Sequence, residues 1–138
     1  MSASFIIRTL GYAGLIPFVV PAMLVAADSS YADIAIFIAE TYAFGIICFL
    51  SGSWWGMAFG SDRRVVLVLS NVYFLIAFLL WTFASAYWAL CAAVLLFGQV
   101  LLERDRGLFS TIADYYRHMR TILTLASSSS MLIIHLAR

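Results

Sequence analysis

The stretch from residue 65 to residue 102 reads VVLVLSNVYFLIAFLLWTFASAYWALCAAVLLFGQVLL and contains no charged residue. As one helix it would be about 57 Å long at 1.5 Å per residue, whereas the hydrocarbon core of a bilayer is about 30 Å thick. The stretch therefore has to turn back on itself, and residues 83–86 are the natural turn. Aromatic side chains suited to a membrane interface flank this turn: Trp81, Tyr87 and Trp88. The pattern predicts two transmembrane helices, at about 65–83 and 87–102.

Three more apolar segments lie at about 10–27, 34–59 and 120–137. About 20 apolar residues are enough to cross a bilayer, so each segment predicts one further span. The last span carries four serines at residues 127–130, which can bond back to carbonyl groups one turn earlier and let helices approach closely. The chain of 138 residues is 64% hydrophobic and 11% charged, which excludes an ordinary water-soluble globular domain.

The first apolar segment admits two interpretations. Arg8 followed by an apolar run and by Val25-Ala26-Ala27 resembles a secretory signal peptide. Against this, the run is long for a signal peptide and contains Pro17 and Pro21. We therefore expect an uncleaved first helix, kinked because each proline forfeits a backbone hydrogen bond.

The segment between the fourth and fifth spans is amphipathic. Its apolar residues recur at the spacing of one helical face, at Leu108, Phe109, Ile112, Tyr115, Tyr116 and Met119. This pattern predicts a helix at about 107–119 that lies in the headgroup plane. Four arginines are expected to contact lipid headgroups there: Arg104, Arg106, Arg117 and Arg120.

The sequence thus predicts an all-α fold in one membrane domain over residues 1–138. It is an integral membrane bundle of five transmembrane helices, with one amphipathic interfacial helix between the fourth and the fifth. With the N-terminus in the cytoplasm and the C-terminus in the periplasm, seven of the eight arginines fall on the cytoplasmic side. Asp28 and Asp33 then occupy an external loop without a basic residue.

Two ionisable residues in the predicted spans are candidates for chemistry. Glu40 interrupts the second span, where an ionised acid is costly unless it is paired or in contact with water. It is expected either to relay protons or cations or to fix helix packing. His135 has a similar predicted depth, so a Glu40–His135 contact is allowed, although a histidine resting at the interface is the simpler expectation.

Small and amide residues point to helix packing. Gly52, Gly56 and Gly60 repeat every fourth residue, a spacing that lets another helix approach. We expect this contact within the chain, with a partner chain as the alternative. Asn71 and Gln99 are expected to bond to each other across the hairpin. Trp54, next to the glycine stripe, is expected at the cytoplasmic interface.

No constellation for catalysis, metal binding or nucleic-acid binding is evident. The net charge is +1, which excludes the strongly basic surface of nucleic-acid binders. Cys48 and Cys91 lie in apolar runs without a metal-ligand spacing. His118 and His135 are about 26 Å apart along a helix, so they cannot share a haem iron. We expect no catalytic residue, metal or cofactor.

Two motifs resemble a known family. LGYAGLIPF at residues 10–18 and YAFGIICFLSGSWWG at residues 42–56 are similar to the transmembrane protein 69-like family of small membrane proteins, found in proteobacteria and, as a relative, in mitochondria. The likeness covers most of the chain. It implies a five-helix protein of the bacterial inner (cytoplasmic) membrane and supplies no activity.

Small size and the glycine stripe favour a non-enzymatic accessory or assembly subunit of a larger membrane complex. Its expected partners are the lipid bilayer and other membrane subunits or a second copy of the chain. The alternative is a small oligomeric proton, ion or solute transporter that uses Glu40. An enzyme acting on a lipid or quinone would need a polar cluster at one membrane face, for which residues 103–120 are the candidate segment.

Overall fold

The computed structural model describes residues 2–60, 62–108, 110 and 112–138, and the regular elements among them are all helical. Six α-helices follow one another: α1 (Ala3–Ala13), α2 (Ile16–Ala26), α3 (Ala32–Ala58), α4 (Arg64–Phe83), α5 (Trp88–Asp105) and α6 (Asp114–Ala137). Within this part of the chain, five helical segments are long and apolar enough to cross a membrane, with α1 and α2 counted together as one. The predicted all-α architecture with five such segments is confirmed.

The predicted turn in the long uncharged stretch is present. α4 ends at Phe83, and a 3-10 turn at Ser85–Tyr87 leads into α5. The flanking rings do not all lie at an interface, however. Trp88 is fully buried, because its indole N–H donates to the backbone carbonyl of Glu40 over 3.0 Å.

The first membrane segment begins at Ala3, earlier than the expected residue 10, and the side chain of Ser2 caps it by accepting from the N–H of Phe5. It is interrupted between α1 and α2, just before Pro17. Proline cannot donate the hydrogen bond that would continue the helix through this point. Pro21 lies inside α2 and is buried. The predicted kink is therefore a single break, placed before the first proline.

Four helices form the core of the bundle. α2 packs against α3 and α6, and α5 packs against the same two helices from the other side. α4 packs mainly on α3 and α1 on α6, so both are peripheral. Small side chains allow these close approaches, among them the fully buried Ala39 and Ala43 of α3 and Ala89 and Ala92 of α5.

A separate interfacial helix between the fourth and fifth spans is not confirmed. α5 ends at Asp105, Gly107 follows with a φ of +58°, and α6 starts at Asp114. Residues 114–119, which sequence periodicity assigned to the interfacial helix, form the beginning of the last membrane helix. Phe109, which the sequence assigned to the apolar face of this helix, lies outside the described residues. The amphipathic pattern arises because Met119 faces the bundle while Arg117 and His118 are exposed.

Two of the four serines in the last helix bond back to carbonyl groups as predicted, whereas the buried hydroxyl of Ser128 has no hydrogen-bond partner in the described part of the chain. Ser127 donates to the carbonyl of Thr124 and Ser130 to that of Ala126. Three of the four, Ser127, Ser128 and Ser130, are buried between α6 and its neighbours. Bonding back to the helix removes most of the cost of placing hydroxyl groups in an apolar interior.

Candidate functional site

An ion pair lies buried near one end of the bundle. Glu103, in the last turn of α5, and Arg120, in the second turn of α6, are 1% and 6% exposed. Nη2 of Arg120 donates to Oε1 of Glu103 over 3.0 Å, and Nε donates to Oε2 over 3.1 Å. This two-pronged geometry is the strongest form of carboxylate–guanidinium pairing, and it fixes the register of α5 against α6.

Two neutral side chains form further hydrogen bonds with this ion pair. The indole N–H of Trp54 on α3 donates to Oε1 of Glu103 over 3.1 Å. Nη1 of Arg120 donates to the hydroxyl of Thr124 over 3.1 Å. The carboxylate thus accepts three hydrogen bonds, and three helices meet at one charged centre. We call Trp54, Glu103, Arg120 and Thr124 the inner network.

The third span, α4, reaches the inner network through Tyr73. Its ring meets that of Trp54 edge-on, with centroids 5.5 Å apart, and its hydroxyl donates to the carbonyl of Leu95 over 2.5 Å. Gly98 on α5 gives this hydroxyl room, because a Cβ built there would lie only 2.8 Å from it. α4 also meets α5 where the rings of Trp81 and Trp88 lie edge-on with centroids 5.3 Å apart, so a few specific contacts join the two helices.

The inner network corrects two sequence-based assignments. Arg120 was expected to face lipid headgroups and Trp54 to rest at an interface, yet both are buried. Each of them donates a hydrogen bond to Glu103 on another helix, and the residue pattern within a single helix does not reveal this partner. The partner, Glu103, was not singled out as a site residue. One feature of the sequence could have identified this site: Trp54, Glu103 and Arg120 all lie near the predicted cytoplasmic ends of their helices.

The other three predicted headgroup arginines are exposed at the same end. Arg104 donates to the hydroxyl of Thr121 over 2.7 Å, and Arg106 lies 3.3 Å from Asp105. Arg117 pairs with Asp114. An open polar cleft of about 580 Å³ separates the end of α5 from the start of α6, with Arg104, Arg117 and His118 in its wall.

A second ion pair lies toward the opposite end. Glu40 is on α3 about 21 Å along the helix axis from Trp54 at 1.5 Å per residue. Its Oε1 accepts from Nη1 of Arg138 over 2.8 Å. Within the described part of the chain, no hydrogen bond or ion pair joins Glu40 to His135, so the contact that the sequence allowed is not formed. The longer side chain of Arg138 reaches the carboxylate instead.

The expected bond between Asn71 and Gln99 is also absent. Asn71 is exposed and donates to the carbonyl of Leu67 in its own helix over 2.8 Å. Gln99 is fully buried and donates to the carbonyl of Ile47 on α3 over 3.0 Å. The reason is that α5 packs on α3 and α6, so its amide side chain faces α3 rather than the hairpin partner α4.

The glycine stripe is not used inside the chain. A Cβ built on Gly52 or Gly56 would meet nothing within 4 Å, and both residues are exposed on α3. Gly60 lies beyond the end of α3 with a φ of +81°, a conformation that glycine adopts readily. The expectation of an intramolecular contact is therefore wrong, because the buried face of α3 is the opposite one, with Trp54 and Ala58.

Metal ligation finds no support in the described residues, which contain no group of three or more His, Cys, Asp or Glu side chains suited to hold an ion. Two ion pairs, Glu103–Arg120 and Glu40–Arg138, instead join different helices near the two ends of the bundle. Open surfaces remain on α3 and beside α1.

Five apolar helical segments enclosing paired charges define an α-helical integral membrane protein. The chain belongs to the family described as Protein of unknown function (DUF3429), whose model matches residues 4–136. Transmembrane protein 69 of Xenopus tropicalis is 29% identical to it in an alignment 127 residues long that covers 88% of this chain and 50% of that protein. The chain thus spans about half the length of this curated relative, and its resemblance to the transmembrane protein 69-like family is confirmed. No solved structure matches it.

Proposed function

We propose that this protein is a non-enzymatic accessory subunit of a larger membrane assembly, and that it binds a helix of another subunit through the outer side of α3. The observation that carries this proposal is the open surface at Gly45, Gly52 and Gly56, where an added Cβ would meet nothing within 4 Å. We call these three residues the α3 glycine face.

The physical basis is the way helices associate in lipid. Apolar side chains gain little by leaving hydrocarbon for one another, so association depends on close backbone approach at small residues. The α3 glycine face offers such an approach. Phe49, 71% exposed, lies on the same side of α3 between Gly45 and Gly52, and Phe59, 80% exposed, follows the end of the helix, so both rings can contact a helix that packs there.

The charged residues support a packing role rather than a catalytic one. Glu103 accepts from Arg120 and Trp54, so its oxygens are engaged in joining helices. Glu40 is likewise engaged by Arg138. The transporter alternative stays a prediction that the packing does not favour, because the fully buried Met131 and Ile134 lie on α6 between Arg138 and the buried serines.

We also infer a cytoplasmic N-terminus in a bacterial inner membrane. The arginine-rich segments lie together at one end of the bundle, since Arg63, Arg64 and Arg106 line one surface cleft. The guanidinium of Arg8 lies 4.8 Å from the centroid of the Tyr115 ring at the start of α6. Basic residues collect on the cytoplasmic side of inner-membrane proteins, which supports this orientation.

The test of the subunit role is co-purification. The full chain is extracted from bacterial membranes in mild detergent and examined by native gels and mass spectrometry, alongside the double variant Gly52→Leu, Gly56→Leu. We expect wild type to migrate with a second membrane chain and the double variant to lose it while keeping its own thermal stability. Val94→Leu, an exposed position on α5, is the matched control and should retain the partner.

A wild-type protein that runs as a monomer without another chain would contradict the proposal. So would a double variant that keeps its partner, because two leucine side chains would fill the α3 glycine face. If the partner is a second copy of this chain, the complex contains one polypeptide at twice the mass, and the same variants test it.

A further inference from the structure

We infer that a groove beside the first membrane segment binds a membrane amphiphile with a neutral carbonyl group and a hydrocarbon chain, and that Arg120 recognises the carbonyl. This inference is distinct from the one about the α3 glycine face, although the two surfaces adjoin on α3, where Phe49 lines the groove. It concerns a binding site for a small molecule, where the proposed function concerns a helix of another subunit.

The groove lies between α1, α2, α3 and α6. Its volume is about 380 Å³, within the range of roughly 300–1,000 Å³ typical of small-molecule sites. Its walls are mostly apolar and include Leu10, Phe18, Ile46 and Leu123. Leu10 is 68% exposed at the rim, so the groove opens toward the lipid-facing surface of the bundle. Hydrocarbon therefore fits the walls and has a route of entry.

The break in the first membrane segment shapes this groove. Gly14 ends α1, and a Cβ there would lie 3.1 Å from the carbonyl oxygen of Gly11 and 3.4 Å from the hydroxyl of Tyr42. Gly11 lets α1 approach α6, because its Cβ would lie 2.9 Å from Sδ of Met119. Both glycines line the groove, and their lack of a side chain lets Met119 and Tyr42 pack close to the backbone of the first membrane segment.

Arg120 supplies a polar group at the groove wall. A guanidinium carries five N–H donors. Nε, Nη1 and Nη2 each make one hydrogen bond in the inner network. The other two N–H donors, on the terminal nitrogens, have no hydrogen-bond partner among the described residues. The buried side chain that carries them lines this groove as well as the polar cleft between α5 and α6. A buried donor gains from an acceptor, so a ligand oxygen would be held there.

Charge decides which acceptor fits. Glu103 already neutralises Arg120, so a carboxylate or phosphate in the groove would meet the field of an existing anion in a medium of low dielectric constant. A neutral carbonyl accepts the same hydrogen bonds without this repulsion. Two membrane components offer it on a hydrocarbon chain: an isoprenoid quinone and the acyl ester of a phospholipid.

The experiment uses native mass spectrometry of the full-length protein released from detergent, titrated with four probes. A short-chain ubiquinone is compared with its carbonyl-free dimethoxybenzene analogue, and diacyl phosphatidylethanolamine with the diether lipid of the same chains. We expect one bound equivalent of at least one carbonyl probe and at least tenfold weaker binding of its carbonyl-free partner. Retention of quinone only, of diacyl lipid only, or of both supports the inference and identifies the source.

The variant Ile46→Trp fills the groove without touching the inner network and should lower binding of the retained probe at least fivefold. Leu75→Trp, at an exposed position on α4, is the matched control and should bind as wild type does. The inference is overturned by absence of a bound equivalent for every probe, by equal binding of carbonyl and carbonyl-free probes, or by undiminished binding to Ile46→Trp. None of these outcomes depends on the partner chain, so the two proposals fail separately.

Discussion

The buried position of Arg120 is determined by its surroundings rather than by its residue type. An unpaired charged residue within a membrane span is energetically costly, and its side chain is expected to extend to the lipid headgroups. Here the carboxylate of Glu103 lies 3.0 Å away, so the guanidinium stays inside the bundle. Exposed arginines at the same end, such as Arg104, are not paired with a buried carboxylate in the described part of the chain. The difference lies in what the neighbouring helix offers, not in the residue type.

Removing one charge of the buried pair is expected to destabilise the protein strongly. Glu103→Gln leaves the guanidinium of Arg120 buried without a counter-charge, and such losses are typically about 3–5 kcal/mol. Thermal and denaturant unfolding in detergent measure the effect. Asp105→Asn, two residues away in an exposed pair with Arg106, is the matched control and should cost about 0–1 kcal/mol.

The double variant Glu103→Leu, Arg120→Leu separates charge from packing. With both charges removed, no uncompensated ion remains, so we expect it to regain more than half of the stability lost in Glu103→Gln. A double variant less stable than the single one would contradict the explanation by unpaired charge.

Trp54 is expected to stabilise the fold through its N–H as well as its ring. Trp54→Phe keeps an aromatic ring against Tyr73 but removes the donor to Oε1 of Glu103. Hydrogen bonds to charged groups contribute about 1.5–3 kcal/mol, and we expect a loss of that size in the free energy of unfolding. Trp55→Phe, at the exposed neighbouring position, should change stability little; equal losses in the two variants would argue against the bond.

At the scale of the elements, the hairpin of α4 and α5 differs from the expected pair of closely packed helices. α4 lies mainly on α3, and the hydroxyl of Ser70 donates to the carbonyl of Ser51 over 2.6 Å. α5 is the inner helix and packs on α3 and α6. The sequence predicts the turn between the two helices well, but two antiparallel helices joined by a turn can still diverge when a third helix competes for the same face.

Gly98→Ala is expected to loosen the contact between α4 and α5. The new Cβ would lie 2.8 Å from the hydroxyl of Tyr73, which is held by its bond to the carbonyl of Leu95. Overpacking of this kind costs about 1–3 kcal/mol, measurable by unfolding in detergent. Gly52→Ala, with nothing within 4 Å of its Cβ, is the matched control and should not destabilise the isolated chain.

Tyr73→Phe tests the cause of that loss. It removes the hydroxyl that the new methyl group meets, so Gly98→Ala should cost less in the Tyr73→Phe background than in wild type. Equal costs in both backgrounds would show that the methyl group clashes elsewhere.

For the whole molecule, the arrangement of the arginine-rich segments predicts one orientation in the membrane. In a Cys48→Ser, Cys91→Ser background, single cysteines at Ser29 and Asp105 are treated with a membrane-impermeant maleimide on intact bacterial spheroplasts. We expect Ser29→Cys to react from outside and Asp105→Cys to react only after permeabilisation. The reverse pattern, or reaction of both from outside, would contradict the cytoplasmic N-terminus.

The number of membrane spans can be predicted from the sequence because each span depends on a local quantity, the length of an apolar run compared with the thickness of the bilayer. The uncharged stretch at 65–102 had to contain a turn whatever its neighbours. Proline likewise marked the break in the first segment, since its missing N–H is a property of the residue itself.

The pairing of polar side chains depended on how the helices pack together. Glu103 meets Arg120 and Trp54 only because α3, α5 and α6 adopt one register, and a hydrogen bond requires its atoms to lie within about 3 Å. Periodicity within one helix carries no information about the rotation of its neighbour. The same rotation turned Gln99 toward α3 and the α3 glycine face outward, which is why the inner network and the open surfaces emerge from the packed bundle alone.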